Sequence, residues 1–272
     1  MPSDSNTGMF QTSDRCNIFY RLFPAPAASA GRIVLIHSLA LDHSIWDGVV
    51  ARLAGAADVL TYDCRGHGRS QRQASAFTSE LFARDLAELL DHVGWQSAAL
   101  AGCSMGGCVA QAFAGLYPSR ADALGLIDTT AWYGVRGPAE WQERAAAARL
   151  KGFGAMADFQ VTRWFSDKFR AEHPELANAV VAVFLANDLD CYASACTLLG
   201  EADLRHCLPS LRLPVTIIVG EEDSATPVSE SRLLHEAISG SKLHILPGAR
   251  HLTPIECPEA IAADLLELSR CA

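Results

Sequence analysis

A serine between closely spaced glycines is the residue of this sequence best suited to covalent chemistry. Gly102-Cys103-Ser104-Met105-Gly106 follows an aliphatic run at Ala98–Cys103 and precedes a helical pattern. Glycines two residues before and after the serine let a strand and a helix approach closely around a sharp turn that exposes the hydroxyl. The spacing predicts a nucleophile at Ser104. The plainer alternative is a glycine-rich helix start in which this serine is an N-cap.

A base must take the proton of such a serine, and histidine is the residue that most often does so. His251 is the candidate, because it lies late in the chain in a loop after the strand-like run Lys242–Pro247. Nucleophile, acid and histidine follow one another in that order when they are built around a glycine-flanked serine of this kind. His37 and His67 also follow strand-like runs, and we expect His37 to brace its own loop.

Four acids compete to orient that histidine. Asp223, Glu221 and Glu222 follow the run Pro214–Gly220, and Asp128 ends a run of its own. Asp223 is favoured because the Ser-Ala-Thr-Pro after it is typical of a turn that starts a helix. The loops that carry the acid and the histidine both come at strand ends, where open α/β sheets build their sites.

An acyl-transfer site also needs two backbone N–H groups that face the developing negative charge. Met105 supplies one, because it follows the nucleophile at the start of a helix. The second is expected from Leu39, in the loop after the strand-like run Arg32–His37. The sequence therefore predicts an oxyanion hole formed by these two residues.

Strand-like and helical patterns alternate along most of the chain, which predicts an α/β fold with a doubly wound, mostly parallel sheet. A weaker pattern predicts an antiparallel hairpin from Met9–Gln11 and Asn17–Leu22, and Pro24–Gly31 is expected to be a loop. The runs interpreted as buried parallel strands are Arg32–His37, Asp58–Asp63, Ala98–Cys103, Ala123–Asp128, Pro214–Gly220 and Lys242–Pro247.

The alternation stops between about Trp132 and Leu208, where only helical patterns occur. Residues 132–208 are therefore predicted to form a helical cap inserted into a core domain of residues 1–131 and 209–272. The alternative is a separate helical domain, which is less favoured because strands resume afterwards and complete the sheet. The helical patterns are Glu140–Leu150, Met156–Phe165, Glu175–Ala186 and Tyr192–Leu199.

Charge and composition limit the partners of the protein. The chain has 272 residues, half of them hydrophobic, and a formal net charge of −9. Such a charge repels nucleic acid and anionic membranes, so we expect neither as a partner and a small molecule instead. An anionic substrate remains compatible, provided that a few arginines reverse the sign locally.

Nine cysteines without C-x-x-C pairs favour reduced thiols in a cytoplasm over disulfides or a zinc site. No export signal or membrane span is expected. Cys103 and Cys108 are interpreted as small core residues. The glycines of Tyr62–Ser70 match neither a P-loop nor a dinucleotide-binding loop, so that segment is interpreted as a structural turn, and no cofactor or metal is expected.

In this order, the motifs resemble the α/β-hydrolase family along nearly the whole chain, and within it the 3-oxoadipate enol-lactonases. Cap segments matter most for the narrower resemblance, because caps select substrates. Cys103 and the crowded acids Glu221 and Glu222 depart from that pattern. The stretches that carry the resemblance are His37–Trp46, Thr61–Ser70, Arg163-Trp164-Phe165, Cys191–Cys196 and Glu201–Arg205.

The resemblance implies a cofactor-free, cytoplasmic enzyme that opens a small carboxylated enol-lactone through an acyl-enzyme. A carboxylate substrate conflicts with the net charge of the chain, so something local must attract it. Arg163 is the predicted carboxylate ligand, with Trp164 beside it and Trp132 helping to wall the pocket. Solvated helix faces are the expectation for most other basic residues of the cap, namely Arg136, Arg144, Arg149, Lys151, Lys168 and Arg170.

Two alternatives stay open at this point. A carboxylesterase or a C–C bond hydrolase would use the same catalytic residues on another substrate. A ligand receptor with the same fold would retain those residues with slow or absent turnover. The sequence does not indicate an oligomeric state.

Overall fold

A computed structural model describes residues 6–25 and 31–270 of the chain. Within them, one sheet of eight strands runs in the order β1-β2-β4-β3-β5-β6-β7-β8. β1 and β2 form an antiparallel hairpin, β2 pairs antiparallel with β4, and all other neighbours are parallel. The strands are β1 (Asn6–Gln11), β2 (Asn17–Phe23), β3 (Arg32–Ile36), β4 (Asp58–Tyr62), β5 (Ala98–Cys103), β6 (Ala121–Ile127), β7 (Val215–Gly220) and β8 (Lys242–Leu246).

The six predicted parallel strands and the predicted hairpin are confirmed, with ends that differ by one or two residues in most cases. The central strands β5 and β7 are buried at every position, which explains why their sequences are continuous apolar runs instead of alternating ones. Of the loop expected at Pro24–Gly31, residues 26–30 lie outside the part of the chain that the structure describes.

Helices pack against the sheet, and α3 begins directly after Ser104. Thr78 caps the start of α2 by accepting a hydrogen bond from the Leu81 N–H. The helices of this layer are α1 (Asp47–Leu53), α2 (Ser79–His92), α3 (Met105–Leu116), α9 (Val228–Ala237), α10 (Thr253–Glu256) and α11 (Pro258–Arg270).

Five α-helices lie between β6 and β7, and we call residues 137–201, which they span, the cap. Four of them match the predicted helical patterns. The fifth, α6, was not predicted, because it has only six residues; the Ser166 hydroxyl caps it by accepting from the Phe169 N–H. The cap helices are α4 (Gly137–Lys151), α5 (Gly154–Trp164), α6 (Asp167–Glu172), α7 (Pro174–Leu185) and α8 (Leu189–Glu201).

Each helix of residues 6–25 and 31–270, taken singly, is too short or too polar to cross a membrane. The bent pair α7 and α8, which meet at 98°, passes that test by combined length and composition.

Candidate active site

The turn between β5 and α3 holds Ser104 in a strained backbone conformation, with φ 55° and ψ −114°. A Cβ atom at Gly102 would collide with the backbone of Gly106, and one at Gly106 would collide with the carbonyl of Ile36. Glycine is therefore required at both positions, and this steric requirement explains the glycines of the motif. The turn was predicted from these glycines.

The serine hydroxyl lies in a chain of hydrogen bonds with His251 and Asp223. The distance from Ser104 Oγ to His251 Nε2 is 3.1 Å, and that from His251 Nδ1 to Asp223 Oδ2 is 2.8 Å. All three residues are buried. The arrangement leaves Nε2 able to accept the serine proton while Nδ1–H donates to the carboxylate.

Asp223 is held by the turn that follows it. Its Oδ1 accepts from the N–H groups of Ala225 (2.7 Å) and Thr226 (3.1 Å), and its Oδ2 accepts from the Thr226 hydroxyl (2.9 Å). Burial acts to raise the pKa of Asp223, but the His251 charge and these hydrogen bonds outweigh it, and the pKa lies below its usual value. Glu221 and Glu222 are exposed and bind Gly248 and Arg250 instead.

Asp128, the competing acid, makes other contacts. It is fully buried and accepts from the N–H groups of Gly220 (3.1 Å) and Thr253 (3.0 Å) and from the Thr253 hydroxyl (2.6 Å). Burial, and after it the charge of Asp223, raises the pKa of Asp128 well above its usual value. It therefore joins the end of β6 to β7 and to the loop after His251.

The backbone N–H groups of Leu39 and Met105 are free of acceptors among the described residues. Met105 is the first residue of α3, where an N–H has no partner inside the helix. Leu39 lines the same cavity as Ser104 and His251. Both residues predicted for the oxyanion hole therefore carry an N–H without an acceptor among the described residues.

The loop that carries Leu39 is fixed from both sides. His37 is fully buried; its Nδ1–H donates to the Ser38 carbonyl (2.7 Å) and its Nε2 accepts from the Cys64 N–H (2.9 Å). From the cap, the Asn187 side chain donates to the Ala40 carbonyl (2.7 Å), and Ala40 itself has a φ of 58°. The bracing role expected of His37 is confirmed.

A small cavity of about 40 Å³ lies above the serine and is lined by the core and the cap together. This volume is far below the roughly 300–1,000 Å³ of cavities that bind drug-sized ligands. Arg163 and Trp164 line it, as predicted from the sequence. Four side chains that were not predicted also line it, namely Tyr133, Trp141, Arg144 and Gln160.

Two arginines of the cap face this cavity without an acidic partner. Neither Arg163 nor Arg144 forms an ion pair with any described residue, and both are half-buried. The Arg144 Nε–H donates to the Tyr192 hydroxyl (2.8 Å), which leaves its terminal nitrogens free of that bond. Burial, followed by repulsion from Arg144, lowers the pKa of Arg163. The cavity is therefore locally positive in a protein of negative net charge.

Residues 31–258 match the family described as alpha/beta hydrolase fold. The chain belongs to this family. 3-oxoadipate enol-lactonase 2 of Acinetobacter baylyi is 32% identical over 228 residues, which cover 84% of this chain and 84% of that protein. The solved enol-lactonase from Burkholderia xenovorans LB400 has a TM-score of 0.90 at 32% identity and covers 96% of this chain and 99% of its own.

A thermophilic esterase from Thermogutta terrifontis, solved with malate bound, is also similar to this α/β-hydrolase. Its TM-score is 0.87 at 28% identity, over 97% of each chain. The predicted fold, the family, the enzyme class of hydrolase and the likeness to enol-lactonases are confirmed by these matches.

The prediction that Trp132 walls the pocket of this α/β-hydrolase is wrong. Its indole lies in a second cavity, under the guanidinium of Arg205 at 3.6 Å from the ring centroid. The reason is an isolated β-bridge between Trp132 and Asp203, in which neighbouring side chains point to opposite sides. Tyr133, the next residue, lines the catalytic cavity in its place.

Cys103 and Cys108 are fully buried, and burial raises the pKa of both thiols, so they are core residues as expected. Asp42, His43 and Asp63 place one ligand atom each within 4.8 Å of one another. Asp63 already accepts from the His43 N–H and ring (2.8 and 2.7 Å) and from the Arg69 N–H (2.8 Å). These bonds fix the Tyr62–Ser70 turn of the α/β-hydrolase, which is the structural role predicted for it.

Proposed function

We propose that this α/β-hydrolase is a cofactor-independent serine hydrolase that opens a small carboxylated lactone of the 3-oxoadipate enol-lactone type. One observation carries the proposal. The hydrogen-bonded Ser104 and His251 line the same small cavity as Arg144 and Arg163, two arginines that face no acid within the described residues. The nucleophile and the two arginines thus line one cavity.

Acylation follows from the geometry of the catalytic residues. Ser104 Oγ attacks the lactone carbonyl while His251 Nε2 accepts its proton, and Asp223 stabilises the imidazolium that forms. The N–H groups of Leu39 and Met105 hold the oxyanion. The ring C–O bond then breaks, the enol oxygen takes the proton from Nε2, and the leaving group stays tethered to the acyl-enzyme because it belongs to the same molecule.

Deacylation uses the same groups in reverse. His251 Nε2 takes a proton from water, the hydroxide attacks the ester carbonyl, and Ser104 Oγ leaves with that proton. The enol tautomerises to a ketone. The product is a keto acid with one carboxylate more than the substrate, and no redox partner or metal is needed to balance the reaction.

The two arginines argue for a carboxylate on the substrate. A half-buried guanidinium that faces a cavity is stabilised when a carboxylate binds it in a charge-assisted, bidentate geometry. Two other arginines of the cap differ, because Arg149 pairs with Asp190 and Arg170 with Asp167 at the surface. Arg144 and Arg163, in contrast, line the catalytic cavity without an acidic partner among the described residues.

A carboxylesterase is the second candidate, favoured by the likeness to the Thermogutta terrifontis esterase. It would use the same acyl-enzyme chemistry on an acyclic ester. The malate in that structure is a small dicarboxylate, so a carboxylated ester would also suit the positive cavity proposed here.

Initial rates on a small panel separate the two candidates. The panel holds 3-oxoadipate enol-lactone, the neutral lactone that lacks its carboxylate, and p-nitrophenyl acetate, each measured with wild type and with Ser104→Ala as the matched blank. We expect the carboxylated lactone to have the highest kcat/KM. A higher value for p-nitrophenyl acetate than for either lactone would favour the esterase.

A cytoplasmic location is part of the same proposal. The eight cysteines within residues 6–25 and 31–270 are all free thiols, seven of them buried. Free thiols suit a reducing compartment.

A further inference from the structure

Gln160 lines the catalytic cavity, and its side-chain nitrogen is unpaired within the described residues. Its side chain is 1% exposed, and its Nε2 has no hydrogen-bond partner among the described residues. It lies on α5 three and four residues before Arg163 and Trp164, so all three side chains project from one face of the helix. The three line the cavity together with Ser104 and His251.

A buried amide without a partner is destabilising, and folded proteins keep few of them. Seven side chains of the described residues have such an atom, but only Gln160 among them lines the catalytic cavity. The others, such as Gln111 and Ser231, lie away from it. An acceptor atom of a bound ligand would pair with this donor. An unpaired donor beside the nucleophile therefore indicates a role in ligand binding.

We infer that Gln160 is a substrate-binding residue that donates a hydrogen bond from Nε2 to an uncharged oxygen of the substrate. The inference rests on the proposed function and adds a second recognition point to it. Arg163 lies one helical turn further along α5, about 4.5 Å along the axis. The helix face therefore offers a cation for a carboxylate and, one turn away, a neutral donor for a carbonyl or enol oxygen.

These two binding points restrict the class of substrate. A ligand that fills both points carries a carboxylate and a second, neutral oxygen acceptor a few bonds away from it. An enol-lactone with a carboxymethyl group meets this requirement, and so does its ring-opened keto acid. A plain dicarboxylate fills the arginine site and leaves the Gln160 amide unpaired.

Two inhibitors that differ by one oxygen test this inference. Inhibition of p-nitrophenyl acetate hydrolysis is measured for 3-oxoadipate, which has the ketone, and for adipate, which lacks it. Wild type should bind 3-oxoadipate about 3- to 10-fold more tightly, the size expected for one hydrogen bond between neutral groups. Gln160→Met should bind the two inhibitors equally, since Met fills the space without a donor.

Thermal unfolding separates binding from a structural role. Gln160→Met removes an unsatisfied polar group, so its midpoint of unfolding should equal or exceed that of wild type. Gln142→Met, at an exposed position of the cap, is the control for the substitution itself. A lowered midpoint together with an unchanged inhibitor ratio would overturn the inference and leave the proposed function standing. Failure of both inhibitors to bind wild type would overturn the proposed function, and this inference with it.

Discussion

The core side and the cap side of the catalytic cavity differ in whether their polar side chains have partners within the protein. On the core side, Ser104, His251 and Asp223 are linked to one another, and the turn at Thr226 satisfies the carboxylate. On the cap side, the arginines face no acid and the amide of Gln160 has no partner within the described residues.

The difference separates two tasks. Groups that transfer protons must be aligned before the substrate arrives, so the fold supplies their partners. Groups that recognise a substrate gain most when the substrate supplies the partner, because the hydrogen bond then contributes to binding. Changes on the core side should therefore reduce turnover of every substrate, and changes on the cap side should discriminate between substrates.

The largest effect is expected for Ser104→Ala. Removal of the attacking oxygen should lower kcat by about 10⁶-fold on every substrate, as in other serine triads. Folding should survive, which circular dichroism can check. Stoichiometric labelling of a different serine by a fluorophosphonate would contradict the assignment.

Asp223→Asn should lower kcat by about 10⁴-fold, because an amide no longer holds the histidine in the required tautomer. Asp128→Asn is the matched comparison. It should lower the midpoint of thermal unfolding, and it should lower kcat far less than Asp223→Asn does. The reason is that Asp128 accepts its hydrogen bonds from Gly220 and Thr253. The reverse ranking of the two variants in kcat would place the catalytic acid on the other strand.

Arg163→Ala and Arg144→Ala should each lower kcat/KM for a carboxylated lactone by roughly 10- to 100-fold, the size of a charge-assisted hydrogen bond. A neutral ester should be nearly unaffected. Arg149→Ala, which removes a surface ion pair of the same cap, is the control. Equal losses on charged and neutral substrates would mean that the arginines support the cap and do not bind the carboxylate.

The smallest effect concerns two tryptophans. Trp141→Leu should raise KM for the lactone about 3- to 10-fold, because the residue lines the cavity. Trp132→Leu should leave KM within about twofold, because its ring lies under Arg205 in the second cavity. Similar changes in KM for both variants would show that a substitution in the second cavity also alters substrate binding in the catalytic cavity.

Most of the core side could be predicted from the sequence, because its chemistry depends on short local patterns. The glycines around Ser104 and the turn after Asp223 are adjacent to the residues that they position. The strands that bring these loops together are continuous apolar runs, which are easy to recognise.

The cap side was predicted only in part, because its contacts are long-range. Arg163 and Trp164 stand out through the adjoining aromatic residues, but Arg144 was assigned to a solvated helix face. Its place in the cavity depends on Tyr192, 48 residues away. The amide of Gln160 gave no signal of its own, although its spacing of three residues from Arg163 placed it on the same helix face.

The cap is bonded to the loop that carries the catalytic histidine. Arg250 donates to the carbonyls of Thr162 (2.8 Å) and Phe165 (3.0 Å), and the Leu252 N–H donates to the Trp164 carbonyl (3.1 Å). Glu256 accepts from the Ser166 hydroxyl (2.6 Å) and from the Arg250 N–H (2.7 Å).

These bonds bear on how the cap could be exchanged between relatives. A chimera that replaced residues 137–201 alone would leave the donors and acceptors of residues 250–256 facing a foreign backbone, beside the general base. The smallest interchangeable unit is thus discontinuous in the chain. It comprises the cap and the histidine loop together, although about 50 residues of core separate them.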